Sequence, residues 1–324
     1  MKIAVIGAGK WGSALYSVLS EKNSCVITSR NKREIANFVN TKTALDCDIL
    51  VFAIAAQHIS SWLENNFVNK NQKILVASKG IEINSGKFIN EIFEKYTNSD
   101  NLAYISGPSF ASEVIQKLPC ALMISSTNNE LAKYLSSLFP AYIKTYPADD
   151  VIGAEICGAY KNVIAIASGI CDGLKLGNNA RASLIARGLV EIHRFGKFFE
   201  AKDETFIGLS GVGDLFLTAS SVLSRNYRVG LGLAANKKLS DILEELGEVA
   251  EGVYTTNAII KIAQKNKIYT PIATEIFKIL NGKDVKESLK DLLSPTAHWN
   301  LQDIKMRHSQ KTMSLKPDKN QILK

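Results

Sequence analysis

Residues 2–12, Lys2-Ile3-Ala4-Val5-Ile6-Gly7-Ala8-Gly9-Lys10-Trp11-Gly12, put an apolar run directly before the pattern G-x-G-x-x-G. A helical pattern opens immediately after it. In that context each glycine serves a physical purpose, whether a tight turn, close approach of backbone to a pyrophosphate, or close packing of helix on strand. The helix N-terminus then offers free N–H groups and the positive end of its dipole to a diphosphate. Glycine-rich turns also arise for steric reasons alone, so the position at the start of a strand–helix–strand unit is what points to a dinucleotide. A lysine followed by apolar residues superficially suggests a signal peptide, but the glycine pattern explains the segment better as a first buried strand.

Outward from this unit, short apolar runs recur at 25–29, 49–54, 73–77, 102–106, 120–125 and 142–146. Amphipathic stretches such as 10–21, 58–67 and 87–96 lie between them. Strand–helix alternation with near-continuous apolar strands predicts a mostly parallel sheet covered on both faces. After Asp149 the pattern turns helical, with segments expected at 151–171, 179–199, 227–235, 239–246, 255–265 and 271–280. The predicted architecture is therefore an α/β Rossmann-type N-terminal domain (1–149), an all-α C-terminal domain (150–297) and a polar basic tail (298–324).

Composition narrows the function classes. With 46% hydrophobic and 22% charged residues among 324, the chain reads as globular, of roughly two domains. The longest apolar runs, near 50–56 and 163–171, fall far short of the ~18 residues of a membrane span, so no membrane insertion is expected. Cysteines stand at 25, 47, 120, 157 and 171, an odd count without CxxC, which suits free thiols in a reducing cytoplasm. His58, His193, His298 and His308 are scattered without ligand spacing, so no metal is expected. The net charge is +8, and residues 298–324 carry six basic and two acidic side chains. That tail nearly lacks aromatic residues, so a solvated tail is the reading and no nucleic-acid partner is expected.

The second strand bears on cofactor choice. Its end reads Thr28-Ser29-Arg30-Asn31, without the acidic residue that usually meets ribose hydroxyls in an NAD site. The Arg30 guanidinium can pair with a 2′-phosphate, which favours NADPH; it can equally stack on adenine and tolerate NADH, or be an ordinary surface arginine. Further on, a helical register gives Lys161 the neighbours Cys157, Gly158, Ile164 and Ala165, none a charge partner. Such a lysine either snorkels to an edge or faces an internal polar site. In the second case an ammonium with a lowered pKa suits proton transfer to or from a carbonyl oxygen during hydride transfer.

These residues belong to a longer set: GAGKWGSAL at 7–15, SKGIE at 78–82, SGPSFASE at 106–113, GAYKNVIAIASGICDGL at 158–174, LSGVGDLFLTASS at 209–221, SRNYRVG at 224–230 and VAEGVYT at 249–255. In that order they resemble bacterial NAD(P)-dependent glycerol-3-phosphate dehydrogenase over about residues 1–296. The resemblance implies an oxidoreductase that interconverts sn-glycerol 3-phosphate and dihydroxyacetone phosphate and supplies the former to phospholipid synthesis. It makes Lys161 the general acid/base and Lys79 a second cation touching cofactor and substrate. Gly107 and Ser109 would line the substrate side of one loop and Ala111 its cofactor side. Asp214 would bind substrate and orient the lysine, and Ser224, Arg225 and Asn226 would clamp the phosphate. Cofactor contacts would come from Gly7, Gly9, Lys10, Trp11, Gly12, Arg30, Lys79, Ala111, Arg225, Val249 and Glu251. Lys10 departs from the small residue the family commonly places there, though an ammonium beside a pyrophosphate is compatible with binding.

Read without the resemblance, SRN is also an ordinary helix start with an exposed arginine, and Asp214 a turn residue in a loop of Gly208, Gly211 and Gly213. Two other functions compete: a dehydrogenase for another hydroxy acid, and a dinucleotide-sensing regulator without catalysis. A cytoplasmic enzyme is expected, and a homodimer is allowed.

Overall fold

The computed structural model describes residues 1–247 and 249–293. The tail predicted at 298–324 and the last residues of the predicted helical domain lie outside them. Seven strands, β1 (Lys2–Ile6), β2 (Ser24–Thr28), β3 (Ile49–Phe52), β4 (Lys73–Val76), β5 (Leu102–Ser106), β6 (Cys120–Ser125) and β7 (Ile143–Ala148), form one sheet ordered β2-β1-β3-β4-β5-β6-β7. All neighbouring pairs are parallel except β5 and β6. The strand order reverses between β1 and β3, and such a switch point opens a crevice at the carboxyl ends of the strands.

The strands are apolar throughout because both faces are covered. Ile3 and Val5 of β1 join one core with Ile49 and Val51 of β3. Ala4 and Ile6 join the opposite core with Leu50 and Phe52. The helices α1 (Lys10–Leu19), α2 (Thr41–Ala44), α3 (Ile59–Asn66), α4 (Ile89–Phe93), α5 (Ala111–Ile115) and α6 (Asn129–Ser137) accompany the sheet. Of these, α4 is shorter than the predicted 87–96, and α2, α5 and α6 are additions to the predicted set. The first two additions are of four and five residues, too short to carry a 3.6-residue periodicity.

From Val151 onward the chain is helical: α7 (Val151–Gly173), α8 (Asn178–Phe198), α9 (Asp203–Ile207), α10 (Asp214–Ala219), α11 (Arg225–Ala234), α12 (Leu239–Leu246), α13 (Glu251–Asn266), α14 (Pro271–Leu280) and α15 (Val285–Leu293). The axis of this half is α7, whose buried residues run from Gly153 to Cys171. By length and composition α7 could cross a membrane, yet 94% of its most apolar window is buried inside the protein. The sequence shows only the short run 163–171 because Glu155, Lys161 and Asn162 interrupt the apolar pattern. Glycines let α11 lie directly on α7. A Cβ on Gly169 would stand 2.0 Å from the Tyr227 carbonyl oxygen, and one on Gly230 would stand 2.1 Å from that of Ile166.

Two buried carboxylates fasten the start of α7. Asp150 accepts from the Gly153 N–H at 2.9 Å and, through its other oxygen, from the Lys202 N–H and the Thr205 hydroxyl. One turn on, Glu155 accepts the Asn90 N–H at 3.0 Å, capping α4 from the helical side. Burial pushes the Glu155 carboxyl up to about 8; backbone hydrogen bonds from Asn90 and Ile89 pull the other way, while Glu91 and Glu94 add to the rise. An acid whose folded pKa is raised adds stability that is complete below its unfolded value and is lost as pH climbs through the folded one. Melting temperature should therefore fall between about pH 4.5 and pH 8 in part through Glu155. Glu155→Gln keeps an acceptor for Asn90 without the charge, and its melting curve against pH should be flatter across that window. Parallel curves for the two proteins would exclude the effect.

Candidate active site

Asp214 joins Lys79, just past β4, to Lys161 of α7, and the segment past β3 meets Glu251 of α13. Gly7, just past β1, has φ +112°, and a Cβ there would stand 2.4 Å from the Ala53 carbonyl oxygen beyond β3. Gly12 packs still closer, since its Cβ would fall 1.8 Å from the Gly7 carbonyl oxygen. Gly9 faces open space, and α1 begins behind it with no side-chain cap. These are the turn, the close packing and the open approach that the fingerprint predicts, and they leave an uncapped helix N-terminus that fits a diphosphate. Trp11 is half-buried against the sheet core, and Lys10 is exposed at the helix start. Arg30 is exposed beyond β2, with Lys32 and Arg33 exposed just after it.

Lys161 does not snorkel. Its side chain is 10% exposed, and its ammonium donates to Asp214 Oδ1 and, at 3.0 Å, to the Thr218 hydroxyl. The other Asp214 oxygen accepts from Lys79 at 2.8 Å, and the Asp214 side chain is 2% exposed. Lys79 leaves β4 and passes its stem over Gly158 of α7, where a Cβ would meet it at 3.4 Å. Hence a sheet-borne and a helix-borne ammonium share one carboxylate. Burial lowers the Lys161 pKa to about 8; Asp214 opposes that shift and Lys79 reinforces it. Burial pushes the Asp214 carboxyl upward, but the ammonium groups of Lys161 and Lys79 outweigh it and hold the group ionised, below its usual range.

Asp214 is not in a loop. Leu209–Gly213 forms a π-helical turn, with Gly213 N–H donating to the Gly208 carbonyl at 3.2 Å, and Asp214 opens α10. Gly211, one of the glycines that read as a loop, admits this wide turn: a Cβ there would stand 2.1 Å from the Phe206 carbonyl oxygen. Thr218 is absent from the predicted site, although its position one helical turn from Asp214 would place it on the same face once the helix is recognised. Asn162, also absent from the predicted site, connects the next pieces. Asn226 donates to Asn162 Oδ1 at 2.9 Å and accepts the Gly252 N–H at 2.9 Å. Ser224 caps α11 by accepting the Tyr227 N–H, and Arg225 stands exposed in the first turn.

Gly252 adjoins Glu251, whose Oε1 accepts the Ala56 N–H beyond β3 at 3.3 Å. Burial raises the Glu251 carboxyl to about 7. Its Oε2 and the Thr255 hydroxyl, both beside Gly80, have no hydrogen-bond partner among the described residues. Buried polar atoms left open next to the fingerprint crevice suit a polar ligand there. Val249 is exposed. Gly107, with φ +113°, accepts through its carbonyl from the Ser109 hydroxyl at 3.2 Å, and Ala111 opens α5.

A glycine-turn sheet faced by a helical half with a buried lysine–carboxylate pair places the chain among the nicotinamide-dependent oxidoreductases. The sequence pattern of the NAD-dependent glycerol-3-phosphate dehydrogenase C-terminus matches residues 150–290, and that of the N-terminus matches 37–132. Glycerol-3-phosphate dehydrogenase [NAD(P)+] from Campylobacter lari is 64% identical over 91% of this chain and 98% of its own length. The protein of the same name from Sulfurimonas denitrificans is 58% identical over 90% and 99%. Among solved structures, glycerol-3-phosphate dehydrogenase from Coxiella burnetii superposes with a TM-score of 0.83 at 30% identity, covering 90% of this chain and 98% of that one. The chain belongs to the NAD-dependent glycerol-3-phosphate dehydrogenase family.

Because Lys79 depresses the Lys161 pKa, Lys79→Met should move it upward from about 8. A titration of the Lys161 Nζ resonance against pH in wild type and variant checks the sign. An unchanged or lower midpoint in Lys79→Met would contradict the assigned geometry.

Proposed function

We propose that the chain reduces dihydroxyacetone phosphate to sn-glycerol 3-phosphate, and catalyses the reverse, with the proton carried by Lys161. The product is a precursor of phospholipids. The observation that carries this reading is the buried Asp214 carboxylate shared by Lys161 and Lys79. When bound, the dihydronicotinamide supplies a hydride to C2 of the ketone. In reduction the Lys161 ammonium gives its proton to the oxygen at C2; in oxidation the amine takes it back. A pKa near 8 keeps both forms within reach at neutral pH. Asp214 and Thr218 hold Nζ in place, and Lys79 adds a second positive charge where the oxygen becomes negative.

The substrate phosphate would be clamped at the α11 N-terminus by Ser224, Arg225 and Asn226, with helix N–H groups adding to the guanidinium. Gly107 and Ser109 would line the same pocket. Gly7, Gly9, Lys10, Trp11, Gly12, Arg30, Ala111, Val249 and Glu251 would contact the dinucleotide, with residues 1–149 as its binding domain and 150–297 as the substrate and catalytic domain. Arg30, with no acid at the end of β2, supports NADPH over NADH as the preferred cofactor. A cytoplasmic homodimer completes the proposal.

Loss of NADPH absorbance on adding dihydroxyacetone phosphate tests the reaction, and the same assay with NADH tests the preference. Lys161→Ala should abolish turnover while NADPH binding, followed by fluorescence, stays within about threefold; Arg225→Ala should raise the substrate KM by roughly a hundredfold, as expected for loss of a charge-assisted clamp. A Lys161→Ala enzyme that still turns over, or an Arg225→Ala enzyme with ordinary KM, would refute the corresponding role.

A further inference from the structure

Two hydroxyls outside the proposed machinery meet between the halves of the molecule. Ser106, the last residue of β5, and Ser210, inside the π-turn, are hydrogen-bonded at 2.7 Å, with residue exposures of 4% and 3%. We propose that this serine pair sets the register of the π-turn and thereby aims Asp214 at Lys161, so that Ser106 and Ser210 are positioning residues for the reaction. The inference rests on the roles given above to Lys161 and Asp214.

A π-turn holds one residue more than an α-helical turn and is rarely stable by itself. Here it closes through Gly213 N–H to Gly208 C=O, and Asp214 N–H also reaches back to the Leu209 carbonyl. Were those bonds exchanged for ordinary α-helical ones, every side chain beyond would swing by ~100° about the axis, the angle of one residue. Asp214 is the first residue beyond, and such a swing would take its carboxylate off both ammonium groups. Gly211 permits the wide turn by admitting the Phe206 carbonyl, but permission is not preference. The Ser106 hydroxyl supplies a fixed reference, because β5 is embedded between β4 and β6 with Ser106 in register with Met123. Gly107 and the Ser109 loop begin at the next residue. The pocket-lining loop and the carboxylate are thus indexed to one strand end.

If Asp214 drifts, Lys161 loses the partner that sustains its charged form while Lys79 still opposes it. The alkaline limb of the pH–rate profile for ketone reduction then moves to lower pH. The experiment uses the full chain with NADPH and dihydroxyacetone phosphate between about pH 6 and 9, comparing Ser106→Ala, Ser210→Ala, their double variant and Asp214→Asn. Each serine variant should lower kcat about tenfold or more, in line with the sensitivity of catalysis to small misplacements. KM should change less than about twofold, the alkaline limb should shift downward, and the double variant should be no slower than the slower single one. Unchanged kcat and an unmoved limb, even with a lower melting temperature, would reduce the pair to structural glue and overturn the proposal, as would losses that multiply in the double variant. Should Ser210→Ala not fold, Ser106→Ala breaks the same bond from the sheet side and decides alone. A fully active Asp214→Asn would remove the underlying reading and this inference with it; an impaired Asp214→Asn beside normal serine variants would remove only the inference.

Discussion

One carboxylate, nearly sealed from water, held between two ammonium groups, is the constraint around which the molecule is arranged. Burying charged groups is costly, and mutual attraction repays that cost only when the geometry is tight. The trio also carries a net positive charge. Burial wins over the attraction of Asp214 in setting the Lys161 pKa, so the ammonium is held in a state it would readily leave. A negatively charged ligand, or an oxygen gaining charge, completes a balance that the protein leaves open. On the proposed mechanism the trio costs stability and prepares the chemistry at once.

The fold brings these groups together from distant places in the chain. Lys79 comes from the end of β4, Lys161 from the middle of α7, and Asp214 from the start of α10. Glycine contacts set two of the approaches. Gly158 lets the Lys79 stem cross α7, and Gly169 with Gly230 lets α11 lie against it, bringing Asn226 to Asn162. From Asn226 a path of hydrogen bonds continues through Gly252 and Glu251 to Ala56 beside the nucleotide turn. The residues proposed to clamp the phosphate are thereby linked to the end of β3 by the Asn226 and Glu251 side chains.

The Rossmann half is legible in the sequence because a parallel sheet covered on both faces writes itself as apolar runs, and β1, β5 and β6 fall at their predicted bounds. Lys161 is legible as a lysine without a partner on its own helix, which is a statement about one element. Its actual partner cannot be read that way, since Asp214 lies 53 positions further along and only tertiary packing joins them. Asp214 enters through family resemblance alone. The π-turn reads as a loop because three glycines in six residues suggest a loop in any register, whereas here Gly211 serves close backbone approach. Thr218 is hidden with it: without α10 there is no face to share. Asn226 is expected to meet a phosphate, and the structure adds an internal duty that no spacing rule encodes.

The length and greasiness of α7 have a consequence for how the chain comes into being. The helices that cover most of it, α8, α10, α11 and α13, follow it in sequence, the last of these ending at Asn266. As the polypeptide leaves the ribosome, a 23-residue, largely apolar helix must wait for nearly a hundred further residues before most of its coat is in place. During that interval its apolar surface, later buried, is exposed to aggregation and to chaperones.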